Sequence, residues 1–249
     1  MPSARAKILQ PGYYGSGKSP YPQINFIAVG KNKISRFEEN LTFEFLFQRS
    51  FEQLVDGFHL QGKWHEFFGN NNPIILELGC GKGEYTIGLA QRHPDRNYIG
   101  VDIKGSRMWV GCKQVRELGL KNVAFIRTRI TLIERFFAEN EISEIWLTFS
   151  DPHLRQGHAR KRLSSPQYLK RYGKFLKDEN TIHLKTDNPA LFRFTLETVE
   201  EGGHELGLVS DDVYQKGAPP EVMEIQTFYE QMWREEGRTI HYLNFRMKK

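Results

Sequence analysis

Cysteine is scarce in this chain, which has 2 among its 249 residues. Neither Cys80 nor Cys112 has a second Cys or a His at the separations typical of metal ligands. We therefore expect neither a disulfide framework nor a metal site. Free thiols are typical of a protein that works in the reducing cytoplasm.

Long apolar runs are also lacking. No stretch of about 18 apolar residues occurs, and the first residues do not have the apolar centre of a secretory signal. We therefore expect a cytoplasmic protein that does not interact with a membrane.

Acidic residues are the minority among the charged groups. There are 30 Asp and Glu against 35 Lys and Arg, which gives a formal net charge of +5 and a sequence pI of about 9.1. A modest basic excess indicates an anionic partner when the basic residues are clustered.

A phosphate-loop pattern near the start of the chain lacks the context that it needs. Residues 12–19 match Gly-x-x-x-x-Gly-Lys-Ser in full. Such a loop must open a helix, and Pro20 and Pro22 would break the first turns of that helix. We therefore predict no nucleoside triphosphate site there and interpret residues 1–25 as a flexible basic tail.

The most informative segment is an apolar strand that runs into closely spaced glycines. Residues 74–83 read Ile-Ile-Leu-Glu-Leu-Gly-Cys-Gly-Lys-Gly, and a second strand over 98–102 ends in Asp102. Glycines let the backbone approach a ligand, and an acid about 20 residues further on accepts hydrogen bonds from a ribose. The pattern therefore predicts a nucleoside cofactor.

The glycine spacing selects among such cofactors. A dinucleotide fingerprint needs its third glycine where this chain has Glu84, and the glycines here are Gly79, Gly81 and Gly83. Glu77 lies just upstream, where a carboxylate would repel a pyrophosphate but would suit an ammonium group. S-adenosylmethionine (SAM) has a ribose, a cationic amino-acid part and no phosphate, and it is the cofactor that we predict.

From residue 74 onward the pattern alternates between strands and helices, which predicts an α/β fold with a mostly parallel sheet. The predicted strands cover residues 74–78, 98–102, 123–127, 144–149, 181–185 and 240–246. The predicted helices lie near residues 84–92, 105–118, 130–138, 165–176, 189–200 and 225–235. In the last strand apolar and polar residues nearly alternate, which is typical of a strand at the edge of a sheet.

Acidic residues follow several of these strands. Ligands bind outside the carboxyl ends of parallel strands, so Glu77, Asp102, Asp151 and Asp187 should lie at one edge of the sheet. An aspartate after a strand can also simply cap a helix, and this alternative stays open, above all for Asp187, which precedes Asn188 and Pro189.

A basic loop follows Asp151 at the same edge. Its charged and titratable residues are His153, Arg155, His158, Arg160, Lys161 and Arg162. A solvated loop could have this composition, but the position of the loop beside the predicted site favours contact with phosphate groups.

Four motifs occur in the order found in the tRNA (guanine-N7)-methyltransferase family. They are Glu77–Gly83, Ser150–Pro152 together with Lys161–Leu163, Leu184–Asn188, and Thr227–Glu230. The chain resembles this family over about residues 30–249, and a series of motifs is far more specific than any one of them.

The resemblance implies a Rossmann-like SAM-dependent methyltransferase fold, an α/β fold with a mostly parallel sheet and an antiparallel last strand. It implies methyl transfer from SAM to N7 of guanine(46), a variable-loop guanosine in tRNA. On this basis we assign residues 26–70 to an N-terminal arm that packs on the catalytic domain and residues 71–249 to the methyltransferase domain. We expect a monomer or a homodimer.

The resemblance also implies roles for single residues. Glu77 and the Gly79–Gly83 turn would hold the methionine part of SAM, and Asp102 would hold the ribose. Asp151 would be the catalytic residue, close to both the methyl donor and the base. The residues implied to bind the substrate are Arg155, Asp187, Thr227, Tyr229 and Glu230.

Some positions depart from the family pattern. Where the family reads Asp-Pro-Trp-Pro/His-Lys, this chain has His153, Leu154 and Arg155. His153 could stack in place of the Trp, and Arg155 keeps the charge of the Lys with a different geometry. The family has an acid near the adenine where this chain has Arg129, so we expect backbone groups to contact the adenine or Arg129 to point away.

Guanine N7 carries a lone pair and no proton, so its methylation needs no general base. We expect direct attack on the methyl group, with the rate gained by positioning the two reactants. Three alternatives stay open: a non-catalytic SAM- or RNA-binding subunit, a methyltransferase acting on another RNA base, and a small-molecule methyltransferase. The last would leave the basic loop without a use.

Overall fold

The computed structural model describes residues 33–155 and 157–249, and strands and helices alternate through most of this range. The strands are β1 (Leu46–Gln48), β2 (Ile74–Leu78), β3 (Asn97–Asp102), β4 (Val123–Arg127), β5 (Ile142–Thr148), β6 (Leu176–Thr186), β7 (Glu205–Ser210) and β8 (His241–Arg246). The predicted tail, the phosphate-loop pattern at 12–19 and the start of the predicted arm lie outside the described residues.

The α-helices of the described residues flank these strands. They are α1 (Lys33–Asn40), α2 (Trp64–Phe68), α3 (Glu84–Arg92), α4 (Gly105–Leu118), α5 (Pro166–Tyr172), α6 (Pro189–Glu201), α7 (Val213–Lys216), α8 (Pro220–Glu224) and α9 (Phe228–Glu235). Short 3-10 turns cover Glu52–Leu54, Ile130–Arg135 and Ala159–Lys161.

The strands form one sheet in the order β1-β4-β3-β2-β5-β6-β8-β7. Strands β1 to β6 pair in parallel. Strand β8 is antiparallel to both of its neighbours, β6 and β7. The predicted α/β fold with a mostly parallel sheet and an antiparallel last strand is therefore confirmed.

The predicted position of the last strand in the sheet is wrong. We expected an edge strand at 240–246, but β8 lies between β6 and β7. A polar side chain in β8 has a role inside the sheet instead. The Asn244 side chain accepts a hydrogen bond from the Leu208 backbone N–H at 2.8 Å, where the register between β7 and β8 shifts. The two edge strands of the sheet, β7 and the three-residue β1, were not predicted.

Several helix boundaries also differ from the prediction. The helix expected near 130–138 is a 3-10 turn over Ile130–Arg135, and the helix expected near 225–235 begins at Phe228. A short helix that was not among the predicted ones, α8, begins at Pro220. A proline at its first position explains this, because proline is favoured at the first turn of a helix.

The sheet is buried on both faces, as parallel sheets usually are. Alternate residues of β2 show the two sides: Leu76 belongs to one hydrophobic cluster and Ile75 to the other. The first cluster includes Trp64, which is fully buried and donates its indole N–H to the Phe136 carbonyl at 3.0 Å. Residues 33–249 form one compact unit.

Both cysteines are free and buried. Burial raises the pKa of the Cys80 thiol well above its usual value and does the same for Cys112. Thiols of this kind are poor nucleophiles. No helix within the described ranges is long and apolar enough to cross a membrane.

Candidate active site

The turn between β2 and α3 has its backbone tied to the neighbouring strand. The N–H groups of Gly79 and Cys80 both donate to the Val101 carbonyl, at 2.7 and 3.0 Å. Gly79, Gly81 and Gly83 all have positive φ, at 85°, 57° and 76°, which explains why this turn is built from glycine. At Gly83 there is no room for a side chain either, because a Cβ would lie 2.7 Å from the Phe125 ring.

Asp102 ends β3 directly beside this turn. Its carboxylate accepts hydrogen bonds from the N–H groups of Gly81 at 2.9 Å and Lys104 at 2.8 Å. Each oxygen thus takes one backbone donor, and the remaining lone pairs are free for a ligand hydroxyl. This is the arrangement expected of a ribose-binding acid.

A cleft of about 580 Å³ opens where β3 and β4 end. Residues that line it include Gln48, Phe51, Ile103, Arg127, Thr128, Arg129 and Leu132. Arg129 is exposed and borders the cleft rather than lying away from it. The apolar side chains among these residues leave room for a flat ring. The cleft is next to Asp102 along the chain, because Asp102 immediately precedes Ile103.

Glu77 is the most deeply buried acid of the predicted set. Its carboxylate accepts from the Thr86 N–H at 2.8 Å, from the Thr86 hydroxyl, and from the Thr148 hydroxyl at 2.5 Å. Burial raises the pKa of Glu77 to about 7, although these hydrogen bonds act in the opposite direction. A nearby ammonium group would favour the ionised form.

The segment after β5 carries Asp151 on a strained backbone. Phe149 and His153 both have positive φ, at 48° and 43°, a conformation that is uncommon for residues other than glycine and clusters at functional sites. The Asp151 side chain is 72% exposed and accepts a hydrogen bond from the His153 N–H at 2.9 Å. Just before it, the buried Ser150 hydroxyl has no hydrogen-bond partner among the described residues.

Asp187 follows β6 at the same edge. It does not cap the next helix, because the N-cap is Asn188, whose side chain accepts from the N–H groups of Ala190 and Leu191. The Asp187 carboxylate instead pairs with Arg238 at 2.9 Å. The helix-cap alternative is therefore wrong for Asp187.

A buried ion pair lies beneath the site. The side chains of Lys185 and Glu230 are both 0% exposed and lie 2.8 Å apart. Lys185 also donates to the carbonyls of Val222 at 2.5 Å and Ile225 at 3.1 Å, and the Tyr214 hydroxyl donates to Glu230 at 2.7 Å. Burial lowers the pKa of Lys185 to about 8, against the opposing charge of Glu230.

The other residues of the last motif lie at the start of α9. Thr227 caps this helix, because its hydroxyl accepts from the Glu230 N–H at 3.2 Å. Glu84 accepts from the Phe228 N–H at 3.2 Å and so joins the start of α3 to α9. Tyr229 is 39% exposed. Of the motif residues Thr227, Tyr229 and Glu230, only Tyr229 presents an exposed side chain.

The basic residues of the loop after Asp151 differ in their contacts. Arg162 donates to the Pro152 carbonyl at 2.8 Å and lies over the Phe194 ring, so it holds the loop. Arg155 is exposed. Arg160 and Lys161 line a second cleft, of about 170 Å³, together with Arg171. Glu134 pairs with Arg171 at 3.2 Å and with Lys174 at 3.0 Å, so part of this positive charge is already balanced.

The sequence therefore predicted the acids at the strand ends, and the structure brings Glu77, Asp102, Asp151 and Asp187 to one edge of the sheet. The sequence did not predict the contacts made at the site by Lys185, Tyr214, Trp233 and Arg238. The one available signal for Lys185 was a lysine at the end of the predicted strand 181–185, because a charge is placed in a buried strand only when it is paired.

Comparison with known proteins gives concordant results. A family model described as "Putative methyltransferase" matches residues 71–243. The chain is 47% identical over 222 residues to the tRNA (guanine-N(7)-)-methyltransferase of Bacteroides thetaiotaomicron, covering 88% of this chain and 87% of that one. It is 50% identical over 221 residues to the protein of the same name from Christiangramia forsetii, covering 88% and 99%.

Solved structures with the same fold include the 16S rRNA methyltransferase KamB. That structure superimposes with a TM-score of 0.58 at 14% identity, covering 76% of this chain and 94% of that one. An antibiotic-related methyltransferase gives 0.55 at 18% identity, covering 74% and 92%. At these identities the likeness concerns the fold alone.

Proposed function

Since the chain belongs to the tRNA (guanine-N(7)-)-methyltransferase family, we propose that it transfers the methyl group of SAM to N7 of guanine(46) in the variable loop of tRNA. The observation that carries the proposal is the meeting of Glu77, Asp102, Asp151 and Asp187 at one edge of the sheet. In this proposal the edge offers one acid to the ribose, one buried acid to an ammonium group and two acids to the guanine.

The residues around the glycine turn fit SAM. A side chain at Gly79 or Gly81 would meet no atom within 4 Å, so the turn is open on the side where a ligand would lie. Asp102 keeps lone pairs for ribose hydroxyls, Glu77 suits the ammonium group, and the cleft beside Ile103 has room for the adenine. When bound, SAM supplies an electrophilic methyl group on a positively charged sulfur.

The protein's own contribution is to position the guanine. N7 needs no base, so the rate comes from holding the ring in the correct place. Asp151 and Asp187 accept hydrogen bonds from the guanine N1–H and the N2 amino group, a donor pair that adenine lacks. For this, Arg238 must share Asp187 with the base. The cations near the site must leave N7 free.

The substrate-binding set of the last motif divides into two roles in this proposal. Tyr229 is exposed and is available to contact the substrate. Glu230 and Thr227 are buried and hold α9 in place, Glu230 through Lys185 and Thr227 through the helix cap. Arg155 and the cleft of Arg160, Lys161 and Arg171 contact phosphate groups of the tRNA.

Residues 71–249 form the methyltransferase domain in this proposal, and residues 26–70 form the arm that packs on it. The protein acts in the cytoplasm, where tRNA is modified. The number of copies in the active form, one or two, stays a prediction.

Methyl transfer to defined tRNA tests the proposed function. The protein is incubated with unmodified tRNA and methyl-labelled SAM, and the product is cleaved chemically at 7-methylguanosine. We expect a single cleavage at position 46, and none when that position is adenosine. Label at another base, or no label although tRNA and SAM both bind, would refute the proposal, the latter in favour of a non-catalytic binding subunit.

A further inference from the structure

Helix α9 exposes an unusual amount of apolar surface for its length. Of its eight residues, Phe228, Tyr229 and Met232 are among the exposed large hydrophobic side chains of the described chain. Trp233 is half-buried. A contiguous exposed apolar patch that is surrounded by polar residues is typical of a binding site.

Tyr229 and Trp233 form a single aromatic surface. They are four residues apart on the helix, so their side chains lie on the same face. Their rings are stacked, with centroids 5.8 Å apart and an interplanar angle of 27°. We refer to these two side chains as the aromatic ledge.

The ledge contacts the segment that carries the proposed catalytic residue. The Trp233 ring is 5.1 Å from that of Phe149, and Phe149 has positive φ just two residues before Asp151. The ledge is also linked to Asp187, because Arg238 lies 5.7 Å from the centroid of the Trp233 ring and pairs with Asp187. The ledge is therefore connected to both acids proposed to hold the guanine, to Asp151 through the Phe149 segment and to Asp187 through Arg238.

The buried side of α9 holds the ledge in a fixed position. Glu230 lies between Tyr229 and Trp233 in sequence and points into the protein, where Lys185 holds it. Because this ion pair fixes the rotation of the helix, it also fixes where Tyr229 and Trp233 lie at the border between the buried and the exposed side of α9.

A flat heteroaromatic ring is the occupant that this surface fits. Proteins bind unstacked RNA bases on aromatic side chains, with acidic or amide groups reading the base edges. Here the ledge offers the face, and Asp151 and Asp187 offer the acceptors. The family's loop Trp is absent, and His153 in its place is turned toward Asp151, with its Nδ1 3.6 Å from the carboxylate.

From this geometry we infer that the Trp233–Tyr229 ledge stacks against the target guanine and takes the place of the missing loop Trp. The inference rests on the proposed function, since it names the surface that holds the base in that reaction. Trp233 is thus a substrate-contacting residue outside the four sequence motifs.

Trp233→Leu and Trp233→Phe test the ledge, with Trp109→Leu as the matched control. Trp109 is also half-buried, but it lies on α4 and donates its indole N–H to Glu39 at 2.6 Å. Each protein is assayed on tRNA with guanine at the target position and on tRNA that lacks a base there. Circular dichroism and thermal unfolding check that every variant is folded.

We expect Trp233→Leu to bind the intact tRNA about tenfold more weakly, a typical effect for one lost base–aromatic stack. Trp233→Phe should recover most of this affinity, and Trp109→Leu should match the wild type. On the tRNA without the base, the wild type and Trp233→Leu should bind equally. A loss of the same size on both tRNAs would show that Trp233 contacts something other than the target base and would overturn the inference.

Failure of the ledge and failure of the proposed function give different results. If the wild type methylates position 46 and Trp233→Leu has unchanged KM and kcat, the ledge is wrong and the function stands. If the wild type makes no 7-methylguanosine, the function is wrong, and the two-tRNA binding comparison still decides whether Trp233 stacks on that base.

Discussion

Glu77 and Asp151 are carboxylates at the same edge of the sheet in opposite surroundings. Glu77 is 4% exposed and enclosed by threonine donors, whereas the Asp151 side chain is 72% exposed. Burial raises the pKa of Glu77 to about 7, so this carboxyl is partly protonated near neutral pH, and in the proposed function the ammonium group of SAM would favour its ionised form. Exposure leaves Asp151 free to meet a base. At the residue scale, burial and exposure thus suit the two carboxyl groups to different roles.

Replacement of Asp151 should separate catalysis from cofactor binding. We expect Asp151→Ala to lose about 100-fold in methyl transfer, as for the loss of a hydrogen bond to a charged group, while its affinity for SAM stays close to that of the wild type. Single-turnover assays and calorimetry measure the two effects. Asp95→Ala removes an exposed aspartate just before β3, at the opposite edge of the sheet, and serves as the control. Unchanged turnover of Asp151→Ala would remove this residue from the mechanism.

The raised pKa of Glu77 predicts a pH-dependent stability. The folded protein binds the Glu77 proton more tightly than the unfolded chain does, so this residue's contribution to stability falls as the pH rises from about 4.5 to about 7. Glu77→Gln has no such titration. The variant should therefore gain on the wild type by on the order of 3 kcal/mol in free energy of unfolding between about pH 5 and pH 8.

Urea unfolding at the two pH values, without SAM, measures this difference. Glu77→Gln should also bind SAM more weakly, because the amide cannot pair with an ammonium group. A difference in stability between the two proteins that is the same at both pH values would show that Glu77 ionises as easily in the folded protein as in the unfolded chain.

At the scale of elements, the Lys185–Glu230 pair connects three parts of the site. Lys185 belongs to β6, its carbonyl partners lie at α8 and just after it, and Glu230 belongs to α9. Removal of one member leaves a buried charge without a partner, which costs more than the pair itself contributes. The pair therefore fixes where α9 lies relative to β6, the strand that precedes Asp187.

A double-mutant cycle tests this connection. We expect Lys185→Met and Glu230→Met each to lower the free energy of unfolding by about 3 kcal/mol. The double variant should lose less than the sum, with a coupling of about 2 kcal/mol. Methyl transfer should stay low in all of them, because no variant holds α9 as the ion pair does. Additive losses would show that the two side chains act independently.

The same scale shows what the sequence could and could not predict. Strands β2 to β6 were recognised because apolar runs between glycines and helices are a strong pattern. Strand β7 was missed because residues 205–209 are exposed, so its apolar side chains do not alternate with burial. The acids of the site follow strands and could be located, whereas Lys185, Trp233 and Arg238 act through contacts between distant segments, which one sequence does not reveal.

At the scale of the whole molecule, the net charge of +5 matters through its position. Arg155, Arg160 and Lys161 all belong to the loop that follows the carboxyl end of β5, beside the acids of the site. Acceptors for the base and donors for the backbone are thus adjacent, so one tRNA can meet both.

Charge removal at this loop should change the salt dependence of tRNA binding. We expect Arg160→Ala to bind tRNA more weakly and to reduce the slope of log affinity against log salt by about 1, as for one lost phosphate contact. Lys121→Ala removes the same charge just before β4, at the opposite edge of the sheet, and should leave the slope unchanged. Equal slopes for both variants in a filter-binding titration would exclude Arg160 from the tRNA interface.

The place of β8 between β6 and β7 has a consequence for biosynthesis. Strand β7 leaves the ribosome before β8, yet in the sheet of the described residues β8 is the neighbour with which β7 pairs. Until β8 has been translated, the backbone N–H and C=O groups of β7 have no strand to pair with, and its apolar side chains Leu206, Leu208 and Val209 stay exposed even in the folded sheet. The nascent chain thus carries an unpaired strand that joins the sheet only when β8 has been made. During this interval the chain is most prone to aggregate and has the greatest need of a chaperone.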